Sequence, residues 1–321
     1  MKNIIVCCDG TGNQFESNIT NVVETYGLAK QNAKQIAFYD PGVGTGGWIY
    51  EEESGAFQAV SDKATGGGLQ TNIEDAYRFL MNVYEEHDNI YLFGFSRGAF
   101  TVRSLAGMLS KCGLLQSTAE NLVEFAGKIY NKKNNAKVAA DFKATFSRKC
   151  PVYFIGVWDT VGALSMTAGK KFHNTKLGKD VKFAYHAMAI DEIRTDFPVS
   201  LWDTLRPNSK QVMEQVWFAG VHSNVGGWYE DRGLSNIALQ WMMANAINCG
   251  MQVDTEALAK KKANPHGFLE DSHTGFWNFR GKNIRKIDKG SKVHTSVIQR
   301  RDKASNHYEP GNLPKDFVEA E

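Results

Sequence analysis

The sequence lacks the cysteine pattern of a disulfide framework or of a zinc site. It has five cysteines, of which Cys7 and Cys8 are adjacent, and none of them form the paired spacing of structural zinc ligands. This usage is typical of a reducing compartment, so we expect a cytoplasmic location. The apolar run at residues 4–8 is too short for the core of a signal peptide and ends at Asp9. Export would then need a route that is independent of a signal peptide.

The chain also lacks the signatures of membrane-spanning and nucleic-acid-binding proteins. The formal net charge is +2, and no basic stripe with interleaved aromatic residues occurs, which argues against a nucleic-acid partner. The longest uncharged stretch, residues 233–253, carries enough polar side chains to be a buried helix instead of a membrane span. There is no internal repeat, no low-complexity tract and no linker rich in proline, glycine or serine.

What the sequence does have is an alternation of apolar strands and helices over 321 residues. Continuous apolar strands separated by helices indicate a parallel sheet covered on both faces. We therefore predict an α/β fold resembling that of the α/β-hydrolases, with a mostly parallel central sheet, as one domain over residues 1–321. The predicted strands are residues 3–8, 35–39, 89–95, 152–158 and 215–221, and the predicted helices include residues 72–85, 96–112 and 235–249.

Two segments fit this alternation poorly. Residues 116–149 are polar and helical, and residues 163–182 are basic and rich in small side chains. Insertions at such places form caps over hydrolase sites, although a surface helix and a loop would explain them equally well. Residues 255–321 are expected to be an irregular C-terminal extension that ends in a tail.

The run from Gly94 to Gly98 reads Gly-Phe-Ser-Arg-Gly and lies between a predicted strand and a predicted helix. In this context Gly-x-Ser-x-Gly predicts a nucleophile elbow, a sharp turn that exposes the hydroxyl of Ser96 above the sheet. The glycines allow the strand and the helix to approach closely. The backbone N–H of Arg97 then lies at a helix N-terminus, where it can stabilise an oxyanion.

A serine hydroxyl needs a histidine to take its proton and a carboxylate to orient that histidine. Of the eight histidines, His222 directly follows a predicted strand and lies after Ser96, as the order of α/β-hydrolases requires. His294 is the other candidate, because it begins a run that we predict to be extended. His87 precedes Ser96, and His186 is expected to lie within a helix.

The best candidate for the carboxylate is Asp159, at the exit of the predicted strand 152–158. Asp191 and Asp203 also lie between the serine and the histidine, but neither follows a strand of similar quality. We expect them to cap helices or form salt bridges, with Asp191 and Glu192 pairing with Arg194.

A second oxyanion donor is expected from the loop that follows the first strand. Its glycines allow Gly10 or Thr11 to present a backbone N–H, while Asp9 would hold the loop by hydrogen bonding to its backbone. This chemistry requires neither a metal ion nor an organic cofactor. The dinucleotide-like pattern Gly42-x-Gly44-x-x-Gly47 is followed by three glutamates instead of an apolar helix, which argues against a nucleotide cofactor.

Six motifs together resemble one family. The α/β-hydrolase domain family, formerly of unknown function, that includes the first family of type VI secretion lipase effectors is similar to this chain from about residue 3 to about residue 310. The motifs are Cys8-Asp-Gly-Thr11, Asp40-Pro-Gly-Val-Gly-Thr45, Gly94-Phe-Ser-Arg-Gly-Ala99, Val157-Trp-Asp-Thr-Val161, Ala189-Ile-Asp-Glu-Ile-Arg194 and Gly220-Val-His-Ser-Asn-Val-Gly-Gly227.

The resemblance implies a serine esterase acting on the acyl esters of phospholipids, with Ser96, Asp159 and His222 at the positions of the family's triad. It also implies transient membrane contact and a cognate immunity protein. Two departures stand out: Asn224 replaces an aspartate that many relatives have, and the compact chain leaves little room for long membrane-contacting insertions. The alternatives are an esterase for short-chain or glycan esters and a non-catalytic binding module on the same fold.

Overall fold

The computed structural model describes residues 1–10, 19–42, 66–162, 176–206, 209–279, 281–303 and 307–321, with the backbone only at 66, 67 and 276. The strands are β1 (Asn3–Cys8), β2 (Gln35–Asp40), β3 (Asn89–Phe95), β4 (Leu114–Leu115), β5 (Ser147–Arg148), β6 (Val152–Trp158), β7 (Val181–Ala189), β8 (Val212–Phe218), β9 (Lys292–His294) and β10 (Val318–Ala320). The α-helices are α1 (Asn21–Leu28), α2 (Gly66–Val83), α3 (Arg97–Cys112), α4 (Val123–Asn131), α5 (Ala136–Phe146), α6 (His222–Gly226), α7 (Gly233–Asn248), α8 (Thr255–Ala259) and α9 (Thr295–Asp302). Short 3₁₀ helices cover Ser117–Leu122 and Gly275–Phe279.

In the described residues the strands form an eight-stranded sheet in the order β10-β9-β8-β7-β6-β3-β1-β2, and every pairing in it is parallel. Strands β4 and β5 form a separate antiparallel pair. A parallel sheet brings the C-terminal ends of its strands to one edge. The predicted α/β fold with a mostly parallel central sheet is confirmed.

Both faces of the sheet are covered, as the continuous apolar strands require. On β1, Ile4 and Val6 pack in a cluster with side chains of α2 and α3, whereas Ile5 and Cys7 pack in a second cluster with α1 and α7. Successive side chains of a strand point to opposite faces, so β1 is buried along its whole length.

The structure can be compared with the predictions for the two segments that fitted the alternation poorly and for the C-terminal extension. Residues 116–149 contain α4 and α5, whose Ile129 and Phe142 pack into the cluster around α2 and α3. Most of the segment 163–182 lies outside the described residues, so that a cap role for either segment stays a prediction. The expected C-terminal tail is wrong in part, because residues 318–320 form β10 at the edge of the main sheet and pair with β9.

The sequence interpretation missed one central strand and misassigned one helix. Strand β7 contains His186, which we predicted to lie in a helix, and it pairs with β6 and β8. The run after His294, predicted to be extended, forms α9 instead. The helix predicted over residues 96–112 is observed over Arg97–Cys112, and it ends at Gly113, whose φ is 74°.

The packing of α3 against β1 generates a test of the fold. A Cβ added at Gly98 would lie 2.0 Å from the carbonyl oxygen of Cys8, whereas one added at Gly27, on the exposed face of α1, meets no atom within 4 Å. We expect Gly98→Ala to lower the free energy of unfolding by about 3 kcal/mol, because α3 must move away from the sheet. Gly27→Ala should be neutral or stabilise the protein by roughly 0.5 kcal/mol. Urea unfolding of both variants measures the difference. Similar free energies of unfolding for Gly98→Ala and Gly27→Ala would contradict the close packing of α3 against β1.

Candidate active site

The candidate nucleophile occupies a strained turn between β3 and α3. Ser96 has φ of 58° and ψ of −120°, a conformation that residues other than glycine rarely adopt. Its N–H donates to the carbonyl oxygen of Trp158 on the neighbouring strand β6, at 3.1 Å. A Cβ added at Gly94 would lie 2.5 Å from the carbonyl oxygen of Gly98. Gly94 is therefore required by the tightness of the turn and Gly98 by the close approach of α3 to β1, in line with the predicted close approach of strand and helix.

The loop after β8 brings His222 to this turn. The Nε2 atom of His222 lies 2.8 Å from the Oγ atom of Ser96, and the imidazole is packed between the rings of Phe95 and Phe197 at centroid distances of 4.5 and 5.0 Å. Burial lowers the pKa of His222 below its ordinary value, against the opposing effect of its hydrogen bond to Asp159. A neutral imidazole at this distance can accept a proton from the serine hydroxyl.

Asp159 leaves the end of β6 and completes a hydrogen-bonded chain. Its Oδ2 atom lies 2.6 Å from the Nδ1 atom of His222, and its Oδ1 atom accepts the N–H of Ala189 at 2.9 Å. Burial alone would raise the pKa of this carboxyl group, but the Arg285 guanidinium and His222 hold it well below its usual range. The structure thus brings together the three residues that the sequence selected separately.

The other histidines that we considered lie elsewhere. His294 caps α9 by accepting the N–H of Ser296, and its ring stacks on Phe218 at 4.7 Å. His186 is fully buried in β7, and its Nε2 atom accepts the N–H of Thr160 at 3.1 Å.

The loop after β1 lies against the first turn of α3. Asp9 is buried and accepts hydrogen bonds from the Gly10 N–H at 2.7 Å, the Thr20 hydroxyl at 2.6 Å and the Tyr39 hydroxyl at 3.0 Å. The predicted role of Asp9 in holding its loop is therefore seen directly. The Gly10 N–H points at this carboxylate, and Thr11 lies outside the described residues. Arg97 is the first residue of α3, as expected of an oxyanion donor.

Two polar residues beside the triad were not assigned to the site by the sequence. Glu192 is fully buried; its Oε2 atom accepts the backbone N–H of His222 at 3.2 Å, and both of its oxygens bind Arg194, at 2.8 and 2.9 Å. The predicted pairing of Glu192 with Arg194 is confirmed. Asp191 instead accepts the N–H of Gly220 at 2.6 Å and the hydroxyl of Tyr308 at 2.8 Å.

The second missed residue is Arg285, whose guanidinium binds both oxygens of Asp159. It lies 126 residues away from that aspartate along the chain. The local sequence does not predict this contact, because Arg285 lies in an irregular stretch before β9, where neither a strand end nor a helix end marks its position. Only the folded chain brings it to the site.

Gly44 and Gly47 of the dinucleotide-like pattern lie outside the described residues. Beside the triad, Trp277 packs edge-on against Phe197, with the ring centroids 5.3 Å apart. Within the described ranges, no group of three or more histidine, cysteine, aspartate or glutamate side chains is arranged to hold a metal ion. Every helix in the same ranges is too short or too polar to traverse a lipid bilayer.

The fold and this sheet edge define an α/β protein with a serine, a histidine and an aspartate in one hydrogen-bonded chain. A family model described as "T6SS, Phospholipase effector Tle1-like, catalytic domain" matches residues 2–245. The match covers most of the chain, and the chain belongs to this family of phospholipase effectors.

Two further likenesses are more distant. The uncharacterized protein YEL023C of Saccharomyces cerevisiae is 34% identical over 217 residues, which cover 61% of this chain and 32% of that protein. The chain therefore spans about a third of the length of this curated relative. The crystal structure of an uncharacterized protein from Pseudomonas aeruginosa has 19% sequence identity and a TM-score of 0.44, with 78% of this chain and 46% of that chain covered.

The ion pair behind His222 generates a second test. Glu192→Ala leaves Arg194, whose side chain is only 11% exposed, without its carboxylate, so we expect the free energy of unfolding to fall by about 3 kcal/mol at neutral pH. The pKa of Glu192 is lowered in the folded state, since Arg194 outweighs the effect of burial. A lowered carboxyl pKa contributes stability above the unfolded value of about 4.3, and this contribution is lost as the pH falls through the folded value. The difference in the free energy of unfolding between wild type and Glu192→Ala should therefore become smaller at acidic pH.

The control for this test is Asp302→Ala, which removes the exposed ion pair with Arg301. Its effect on urea unfolding should stay below about 1 kcal/mol. Equal losses in the two variants would contradict the structural role assigned to Glu192.

Proposed function

We propose that this chain is a serine hydrolase that cleaves carboxylic esters through an acyl-serine intermediate, with phospholipids as its substrates. The observation that supports this most directly is the chain of contacts from Ser96 Oγ to His222 Nε2, at 2.8 Å, and from His222 Nδ1 to Asp159 Oδ2, at 2.6 Å. Both distances are those of hydrogen bonds that can transfer or orient a proton. Membership of a phospholipase effector family supports the ester substrate.

In the first half of the reaction, Ser96 Oγ attacks the carbonyl carbon of the ester while His222 Nε2 takes the serine proton. The carbonyl electron pair moves to the oxygen, which becomes an oxyanion bound by the Arg97 N–H and by the second predicted donor, which is Thr11, because the Gly10 N–H is bonded to Asp9. When the bond to the alcohol oxygen breaks, the imidazolium gives its proton to that oxygen. The alcohol leaves, and the acyl group stays on the serine.

In the second half, water takes the place of the alcohol. His222 accepts a proton from the water, whose oxygen attacks the acyl carbon, and the second tetrahedral intermediate forms at the same oxyanion donors. Its collapse returns the proton from His222 to Ser96 Oγ and releases the free acid. Asp159 stays ionised throughout, and its charge stabilises the imidazolium that forms twice per turnover.

The aromatic side chains beside His222 support an acyl chain as the group bound there. Phe197 and Trp277 are half-buried and pack edge-on against each other beside the imidazole, and the Arg194 guanidinium lies over both rings, at 3.6 and 5.0 Å from their centroids. Each methylene that is buried on such a surface contributes about 0.8 kcal/mol. A long acyl chain would therefore bind more tightly than a short one.

The family description is the basis for the cellular part of the proposal. Because its members are described as secretion effectors, we propose export without a signal peptide, transient contact with a membrane surface and neutralisation by a cognate immunity protein.

The first test of this function compares wild type with Ser96→Ala on p-nitrophenyl esters whose acyl chains run from acetyl to palmitoyl. We expect the rate to rise with chain length in wild type and to fall by at least about 1,000-fold in Ser96→Ala, because the nucleophile is gone. Ser110→Ala is a matched control, since Ser110 lies on the same helix but bonds to Asp180. It should retain wild-type rates.

The outcomes separate the alternatives. Serine-dependent rates that are highest on the acetyl ester would contradict a lipase and favour a short-chain or glycan esterase. Rates that do not depend on Ser96 on any ester would overturn the mechanism.

The pH dependence of the reaction follows from the burial of His222. His222 acts as a base only while it is neutral, and its pKa lies below the ordinary histidine value of about 6.5. We therefore expect kcat/KM to decline only as the pH falls below about 6.5 and to stay flat through neutral pH. A decline that begins above about pH 7 would contradict this environment for the imidazole.

A further inference from the structure

The C-terminal segment, residues 255–321, contacts the candidate site, and two of its contacts lead to the acid and to the loop that carries the base. Arg285 binds the carboxylate of Asp159, and Tyr308 binds Asp191, which in turn accepts the N–H of Gly220, two residues before His222. Both contacts come from beyond residue 245, where the match to the catalytic-domain model ends. The segment thus supports both the acid and the loop that carries the base.

The contact of Arg285 with Asp159 is a bidentate ion pair. Nη1 donates to Oδ1 at 2.6 Å and Nη2 donates to Oδ2 at 2.9 Å, so that the planar guanidinium fixes the plane of the carboxylate. The same two nitrogens donate to the carbonyl oxygens of Ala189 and Phe197, each at 2.8 Å. The backbone of Arg285 is held as well, because the side chain of Asn312 donates a hydrogen bond to the Arg285 carbonyl oxygen at 3.0 Å.

With the Ala189 N–H and His222 Nδ1, the Asp159 carboxylate therefore contacts four nitrogen atoms. Both residues are buried, with Asp159 at 0% and Arg285 at 5% exposure, which removes solvent screening from the pair. The positive charge of Arg285 offsets the negative charge of Asp159, which would otherwise interact with the imidazolium of His222 alone.

We propose that Arg285 is a positioning residue of the triad, which holds the Asp159 carboxylate in the orientation that His222 requires and offsets its charge. This inference rests on the proposed function. Its consequence is that the irregular segment before β9 is part of the active site.

The charges around His222 define what Arg285 does electrostatically. The anionic groups are Asp159, after β6, and Glu192, after β7; the cationic groups are Arg194, in the loop after β7, and Arg285, before β9. Glu192 and Arg194 pair with each other, as do Asp159 and Arg285. Loss of Arg285 alone leaves a buried anion beside the imidazole, and this favours the imidazolium form.

The test compares Arg285→Met, Arg285→Lys and Arg300→Met by NMR titration of His222 with selectively labelled histidine. In Arg285→Met we expect the titration midpoint of His222 to rise by about one pH unit. Arg285→Lys keeps the positive charge and should leave the midpoint close to that of wild type. Arg300→Met is the matched control, since Arg300 is a buried arginine of the same segment that donates to the carbonyl oxygens of Pro265 and Gly267. Its midpoint should not move.

Kinetics separate positioning from charge. In Arg285→Lys the bidentate geometry is lost, so we expect kcat to fall by about 100-fold without a shift of the acid limb of kcat/KM. In Arg285→Met that limb should move to higher pH together with the NMR midpoint.

Two results would overturn the inference. One is an unshifted His222 midpoint in folded Arg285→Met; the other, which applies even when that variant does not fold, is wild-type kcat in Arg285→Lys. The NMR result does not depend on turnover. An absence of Ser96-dependent hydrolysis in wild type would therefore overturn the proposed function, while the role of Arg285 toward His222 would still be decided by the titration.

Discussion

The parallel register of the central strands is the constraint on which the candidate site depends. Strands β3, β6, β7 and β8 pair side by side, with Phe95 opposite Trp158, Trp158 opposite Ala187 and Ala187 opposite Val216. Strands β3 and β6 therefore end at the same level, and β7 and β8 end together two residues further along. Ser96 and Asp159, which follow β3 and β6, meet His222 from the loop after β8 at one edge, although 126 residues separate Ser96 from His222. A shift of one residue in any of these pairings would break the hydrogen-bonded chain and would also turn the side chains of that strand to the opposite face.

The second constraint is the compensation of buried charge at that edge. Asp159 and Glu192 are both fully buried, and each is paired with an arginine, Arg285 or Arg194. A buried charge without a partner would cost several kcal/mol or would be neutralised by a shift of its pKa. The two pairs allow a carboxylate to stay ionised next to an imidazole in an apolar surrounding. Stability and the proposed chemistry thus depend on the same contacts.

The sequence predicts what is local and misses what the chain brings together from a distance. Strand β3, the Gly94–Gly98 turn and α3 are strong local patterns, and the rule that partners follow strand ends was sufficient to select Asp159 and His222. Strand β7 was missed because Val181–Ala189 contains a lysine and a histidine, which weakened its apolar pattern. The run after His294 was misread because its β-branched residues favour strand, whereas His294 caps a helix there. Arg285 gave no signal at all, since its partner is defined only by the fold.

The most direct test of the central claim is mass spectrometry after treatment with a fluorophosphonate probe, which reacts covalently with an activated serine. The account predicts one adduct per chain, located at Ser96, with labelling abolished in Ser96→Ala and strongly slowed in His222→Ala. Labelling at another residue, or labelling of Ser96 at the same rate without His222, would contradict the claim that these side chains act as one catalytic unit.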